Sequence, residues 1–280
     1  MIAILGAGGQ LGTAFLGLLG DRAKAVTRSE LDLTDPSSIP TWVDDNRPEA
    51  IVNCAAYTAV DAAEEHEETA RLVNATAVAE LARASRRHQV RFVTFSTDYV
   101  FDGTKAGPYL EGDQPNPLSV YGRTKLEGER LALAVHPGSL VVRTSWVISG
   151  THRNFVATML SLIRNGEVNV VDDQRGHPTL VSDLAPATWE AVDAGVTGIL
   201  HLTNQGVTTW YGLARETAEI AGLDPDRVRP ITTEEFPRPA PRPENSVLES
   251  DRLDEFGLSP LPHYQDALPD LVDQLVSRGY

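Results

Sequence analysis

The sequence predicts an α/β fold: a Rossmann-type doubly wound parallel sheet with a smaller C-terminal α/β lobe. Three observations carry the prediction. The glycine-rich segment Gly6-Ala7-Gly8-Gly9-Gln10-Leu11-Gly12 follows at once on the apolar run Ile2-Ala3-Ile4-Leu5. Short apolar runs then alternate with helical patterns as far as about residue 147. Strands separated by helices join a parallel sheet through right-handed crossovers, with helices on both faces. Finally, Tyr121 and Lys125 stand four residues apart in a helical segment, so they share one helix face.

Taken in order, residues 2–6 read as a buried strand and 10–20 as the helix behind it. Lys24 to Thr27 is a short second strand. Asp35-Pro36 is a helix start signal, a capping carboxylate followed by proline at the first helical position. Residues 50–54 form a third strand, and 61–87 are largely helical with Ala75, Val78, Leu81 and Ala82 on one face. Val90 to Phe95 is a fourth strand, 119–135 the helix that carries Tyr121 and Lys125, and Ser139 to Arg143 a fifth strand. After residue 147 the rhythm loosens: helices are expected near 153–165, 182–194, 209–222 and 264–277, and strands near 168–171 and 198–202. The proline-rich stretch 230–246 reads as a long loop. The expected division is a dinucleotide-binding domain over 1–147 and a mainly substrate-binding lobe over 148–280, with some segments returning to the Rossmann core.

Composition narrows the function classes. The 280 residues are 41% hydrophobic, an ordinary globular figure, and no run approaches a membrane span. The apolar run at residues 2–5 has no basic region before it, so a secretory signal is not expected. The single cysteine, Cys54, fits a cytoplasmic protein and reads as a buried strand cysteine. The net charge of −15 argues against nucleic acid as a partner. The seven histidines show no ligand spacing, so no dedicated metal site is expected.

The glycines at 6, 9 and 12 let the first turn run tight and let backbone approach a pyrophosphate at a helix N-terminus. Arg28, after the second strand, suits a ribose 2′-phosphate, and no acidic residue is expected at that strand end to bind a free 2′-hydroxyl. The alternative for Arg28 is a solvated side chain. Asp32 and Leu33 could flank the adenine, the first by hydrogen bonding and the second by contact. Small residues at Ala55 and Ala56 allow a cofactor to lie against the backbone. Thr97 falls at the C-terminal end of the fourth strand, where open parallel sheets bind ligands. The Lys125 charge can favour a Tyr121 phenolate and lower its pKa from about 10. A tyrosine so tuned can pass a proton to a carbonyl oxygen.

Beyond these pieces, the chain resembles the extended short-chain dehydrogenase/reductases, and within them the dTDP-4-dehydrorhamnose reductase family. The motifs that carry the resemblance are Gly9-Gln10-Leu11-Gly12, Asn53-Cys54-Ala55-Ala56-Tyr57-Thr58-Ala59-Val60-Asp61, and Ser96-Thr97-Asp98-Tyr99-Val100-Phe101-Asp102-Gly103. They continue with Pro117 to Glu129, Arg143-Thr144-Ser145-Trp146-Val147 and Arg242-Pro243-Glu244-Asn245-Ser246-Val247-Leu248. The Tyr-x-x-x-Lys element belongs to the whole superfamily; the segments at 96–103 and 242–248 are more specific.

The resemblance implies Tyr121 as proton donor, Lys125 on the nicotinamide ribose, and Thr97 supporting both. It implies that Gly9, Gln10 and Leu11 meet the pyrophosphate, with Gly6 and Gly12 shaping the turn, and that Asp32 and Leu33 meet the adenosine. Ala55, Ala56, Tyr57 and Thr58 line the cofactor. Val60, Thr97, Asp98 and Trp146 face the sugar, although Trp146 also suits core packing, and Arg242 contacts the nucleotide diphosphate. The implied reaction is reduction of the C4 ketone of dTDP-4-dehydro-L-rhamnose to dTDP-L-rhamnose by NADPH, with NADH as the alternative cofactor. Another nucleotide-linked 4-keto-deoxysugar, or a non-catalytic cofactor-binding subunit, are the rival readings. Some family members bridge a dimer with Mg²⁺ through a glutamate two residues past the last glycine. Here that residue is Ala14, so Mg²⁺ is not expected and a monomer or metal-free dimer is. Related dehydratases carry an acid where this chain has Tyr99, which argues against dehydration.

Overall fold

The computed structural model describes residues 1–280. The order along the chain is β1 (Ile2–Leu5), α1 (Gln10–Leu19), β2 (Ala23–Val26), α2 (Ile39–Asn46), β3 (Ala50–Asn53), α3 (Val60–Ala63), α4 (Glu67–Arg71), α5 (Ala77–Arg87), β4 (Arg91–Thr97), α6 (Val120–Val135) and β5 (Leu140–Thr144). It continues with β6 (Val147–Ile148), α7 (Phe155–Asn165), β7 (Val168–Val171), β8 (Arg175–Gly176), β9 (Thr179–Leu180), α8 (Val181–Asp193), β10 (Gly198–His201), β11 (Thr208–Thr209), α9 (Trp210–Ile220), β12 (Val228–Ile231) and α10 (Tyr264–Ser277).

The main sheet has six strands in the order β10-β5-β4-β3-β1-β2, and every pairing in it is parallel. Alternation along the strands sends side chains to two separate cores. Ile2, Ile4, Val52 and Val142 pack under α1 and α8 with Phe15, Leu184 and Trp189. Ala3, Leu5, Ile51 and Phe92 pack on the other face under α2, α5 and α6 with Ile39, Leu81 and Ala132. Both faces are therefore covered, as an all-parallel sheet requires. The chain reverses direction of travel across the sheet between β1 and β3, and such a switch point opens a crevice at the strand C-termini.

Most expected elements form within a residue or two of their predicted bounds. Two differ. The 61–87 helix is broken: α3 ends at Ala63, and a wide π-type turn over Leu72–Thr76 joins α4 to α5. A strand over Val228–Ile231, not expected from the sequence, pairs with β7. The strand expected near 198–202 forms and pairs with Leu140–Arg143 as the edge of the main sheet, one of the segments expected to return to the Rossmann core. The remaining lobe is built on α7, α9 and α10, with Ile148, Leu160, Leu213, Leu268 and Val272 in its core. No helix is long and apolar enough to cross a membrane.

Candidate active site

The glycine-rich turn and the segment after β3 meet at the switch point. Gly6 has φ +69°, and a Cβ there would lie 2.6 Å from Ala55 N. A Cβ on Gly12 would lie 2.3 Å from Gly6 O. Both positions exclude any side chain, which lets α1 begin directly above the β1 end. The α1 N-cap, Gly9, supplies no side-chain cap, and the first turn carries no acidic residue. Its free N–H groups and the positive end of the helix dipole therefore suit a phosphate. The cradle fits the pyrophosphate of a dinucleotide.

The wall opposite is fixed by Asn74, a residue that sequence reasoning missed. The π-type turn aims its side chain at the 54–59 segment. Asn74 Oδ1 accepts from Tyr57 N at 2.8 Å, and Nδ2 donates to Tyr57 O at 3.1 Å and to Thr124 Oγ1 at 3.2 Å. Ala55, Ala56 and Tyr57 are half-buried and Thr58 is exposed, which leaves this backbone open along one side. The one available signal was a polar residue inside an otherwise apolar helical face.

Helix α6 starts at a doubly fixed point. Ser119 Oγ accepts from Gly122 N at 3.2 Å, and Glu64 Oε1 accepts from Val120 N at 2.8 Å. Tyr121 on this first turn packs edge-on against Tyr99, with ring centroids 5.6 Å apart. Part of its surface stays open. Thr97, the last residue of β4, accepts from Tyr99 N at 3.2 Å and donates to Asp98 Oδ1 at 2.8 Å. The other Asp98 oxygen is buried and has no hydrogen-bond partner in the protein. Burial pushes the Asp98 carboxyl up to about 6, against the opposing pull of its hydrogen bond from Thr97.

The expected tuning of Tyr121 is corrected by the geometry. Lys125 Nζ donates to Phe95 O at 2.6 Å, so its charge is spent on a strand carbonyl. Burial and the neighbouring Asp98 carboxylate push the Tyr121 phenol up to about 12, with Thr97 pulling the other way. Burial lowers Lys125 to about 8, opposed by Glu129 one helical turn on. Helix spacing places the two side chains on one face; it does not say where the ammonium points.

Other expectations shift as well. Arg28 is exposed and pairs with Asp32, Nε to Oδ2 at 3.1 Å, and Asp32 also accepts from Thr34 N at 2.9 Å. The strand end is not free of acid: Glu30 folds back and accepts from Thr27 N at 2.9 Å. Leu33 is buried in the core with Leu5, Val26 and Ile39, so its side chain does not reach the crevice. Leu11 likewise packs against the core. Arg242 Nη1 donates to Asp61 Oδ1 at 2.6 Å, and Arg238 Nε to Asp61 Oδ2 at 3.0 Å. These two guanidiniums, Arg242 foremost, hold the Asp61 carboxyl far below the usual carboxylate range. The pair leaves one net positive charge on the 238–242 loop, the sign a diphosphate needs.

Trp146 sits just past β5 with φ +46°, a strained conformation for a bulky residue. Its ring stacks on Trp210 at 3.6 Å, and it is half-buried. Val60 opens α3 and is half-buried. The two most family-specific motifs contain much scaffolding. Asp102 accepts from Asn116 Nδ2 and Tyr109 Oη, each at 2.9 Å. Asn245 Nδ2 donates to Lys105 O at 2.8 Å and Gly107 O at 2.9 Å. Both hold the 102–116 loop in place. No three His, Cys, Asp or Glu side chains converge as a metal site would need.

The family model described as RmlD substrate binding domain matches residues 1–277. The chain is similar to the dTDP-4-dehydrorhamnose reductase of Mycobacterium tuberculosis (strain CDC 1551 / Oshkosh), at 47% identity over 95% of this chain and 90% of the relative. It is also similar to a probable dTDP-4,6-dihydroxy-2-methyloxan-3-one 4-ketoreductase of Streptomyces antibioticus, at 45% identity over 99% and 96%. Among solved structures, the dTDP-4-dehydrorhamnose reductase of Bacillus anthracis in complex with NADP superposes with a TM-score of 0.92 at 32% identity, covering 99% of this chain and 98% of that one.

Proposed function

The chain belongs to the RmlD substrate binding domain family, and on that premise we propose that it reduces the C4 ketone of dTDP-4-dehydro-L-rhamnose to dTDP-L-rhamnose with NADPH. The single observation that supports this reading most is the convergence of Tyr121, Thr97 and Asp98 beside the switch-point cradle. On this reading Tyr121 is the proton donor and the glycine-rich turn holds the dinucleotide.

The cofactor supplies the hydride that adds to C4. The chain's own residues do the rest. Tyr121, held protonated by burial and by Asp98, gives its phenolic proton to the ketone oxygen as charge develops there. Lys125, held against Phe95 O, would meet the nicotinamide ribose of the bound cofactor with its remaining N–H groups. Thr97 donates its hydroxyl hydrogen bond to Asp98, so it does not compete with Tyr121 as the proton donor. Val60 and Trp146 bound the sugar, and Arg242 with Arg238 faces the diphosphate. Orienting both reactants in one crevice supplies much of the rate.

A second reading, another dTDP-linked 4-keto sugar, is favoured by the 45% identity to the Streptomyces antibioticus relative. Comparing kcat/KM for dTDP-4-dehydro-L-rhamnose against other dTDP-4-keto-6-deoxyhexoses decides between them. The first reading expects dTDP-4-dehydro-L-rhamnose to lead by at least about tenfold, the margin of about 1.4 kcal/mol that one substrate-specific contact supplies. A lead for any other sugar supports the second.

A further inference from the structure

The geometry points to Gln10 as a positioning residue that couples the dinucleotide turn to the sugar wall at Trp146, an inference that rests on the reductase reading above. Its side chain turns away from the phosphate cradle. Nε2 donates to Val147 O at 3.2 Å, and Oε1 accepts from Ser149 Oγ at 2.9 Å and Asn154 Nδ2 at 3.1 Å. The amide is thus engaged by the 147–154 segment through both its oxygen and its nitrogen.

This clasp joins segments more than 130 positions apart in sequence, at the point where each bears on a ligand. Gln10 opens α1. Val147 follows Trp146, the residue with φ +46°. Trp146 O accepts from Thr179 N at 3.2 Å, so its backbone is held on the far side by β9 and on the near side by Gln10 through Val147. Asn154 also caps α7, accepting from Ala157 N at 3.1 Å. Phe155, the first residue of α7, packs on Trp210, the ring that stacks on Trp146. Ser149 is 2% exposed, so water cannot take the place of Gln10 there. A second bond, between His152 Nε2 and Gly8 O at 3.1 Å, closes the same gap beside it.

A phosphate bound at the first turn of α1 holds that turn still, and the Gln10 amide carries the restraint to the backbone of Trp146. Dinucleotide and nucleotide sugar then each tighten the other, since such coupling is reciprocal.

The test uses the full-length protein, with NADP⁺ and dTDP-L-rhamnose as calorimetric probes. Wild type should bind dTDP-L-rhamnose about tenfold tighter in saturating NADP⁺, within the usual range of coupling. Gln10→Met keeps the side-chain length and removes the three hydrogen bonds. It should bind NADP⁺ alone within about twofold of wild type, lose the coupling, and raise KM for the keto sugar about tenfold with a smaller change in kcat. Ser149→Ala approaches the clasp from the other side and should weaken the coupling in the same direction, which keeps the inference testable if Gln10→Met does not fold. Coupling retained in the folded variants, or a Gln10→Met defect confined to NADP⁺ affinity, overturns the clasp. A wild type that turns over the ketone but shows no coupling also overturns the clasp while leaving the reductase reading intact. A wild type that neither turns over the ketone nor binds dTDP-L-rhamnose overturns both.

Discussion

Thr97 Oγ1 donates to Asp98 Oδ1 at 2.8 Å, while the second oxygen of that carboxyl is buried without a partner. The pair explains two features of the crevice at once. Thr97 presents a lone pair and not a proton to its surroundings, and Asp98 holds a negative charge that its environment resists.

Asp98 should therefore make the protein's stability fall as neutrality is approached from the acid side. Its carboxyl is raised from 3.8 to about 6 in the folded state. The folded protein binds more protons than the unfolded chain between those values, so stability contributed at low pH is lost as pH rises through the window. Complete loss amounts to about 3 kcal/mol. Asp98→Asn should raise Tm at pH 7 relative to wild type and flatten the dependence between pH 4 and 7, as read by thermal melts. A variant less stable than wild type at pH 7, with the pH dependence between 4 and 7 unchanged, would show that the Asp98 carboxyl is not raised in the folded state.

Lys125 should give cofactor binding an alkaline limb. Burial lowers its ammonium to about 8, so it loses its charge as pH rises through that value. NADPH affinity measured by fluorescence should weaken by about tenfold between pH 7 and pH 9.5, the worth of one hydrogen bond to a charged donor. Lys125→Met should bind weakly and without that dependence. A flat wild-type profile contradicts the assignment of Lys125 to the cofactor ribose.

Arg28 should discriminate between cofactors despite its ion pair with Asp32. That pair is exposed and contributes little, so a phosphate can displace it. Arg28→Ala should weaken NADPH by about 10-fold or more and NADH by much less, since only the former carries the charged partner. Equal weakening would mean that the side chain does not read the 2′-phosphate.

How far the sequence speaks is clear from particular residues. Strands and helices were legible because the apolar run Ile2–Leu5 and the apolar stripe of 75–82 are local patterns. Gly6 and Gly12 were legible because their motif encodes a backbone shape. What failed depended on where a long side chain points. Lys125 reaches Phe95 O, Arg242 reaches Asp61, and Gln10 reaches Val147, all across contacts of 30 residues or more. Asn74 escaped because its partners, the Tyr57 backbone and Thr124 Oγ1, lie 17 and 50 residues away along the chain. The return of a C-terminal segment to the Rossmann core was expected, but that it is Gly198–His201 was not legible, because nothing in four residues says which sheet they join.

Activity should not require a divalent cation. Ala14 has no side-chain oxygen to offer Mg²⁺, and no acidic or histidine cluster converges elsewhere. Turnover and sedimentation should be unchanged by excess chelator. A mass that halves together with activity on chelation would restore a metal-bridged dimer.

The most direct test of the central claim is product formation from dTDP-4-dehydro-L-rhamnose by wild type and by Tyr121→Phe. The account predicts one dTDP-L-rhamnose formed for each NADPH oxidised by wild type. For Tyr121→Phe it predicts intact cofactor binding and turnover slower by ~10²–10⁴-fold, the usual worth of a general acid. A wild type that leaves NADPH unconsumed, or a Tyr121→Phe variant within about threefold of wild type on that same scale, contradicts it.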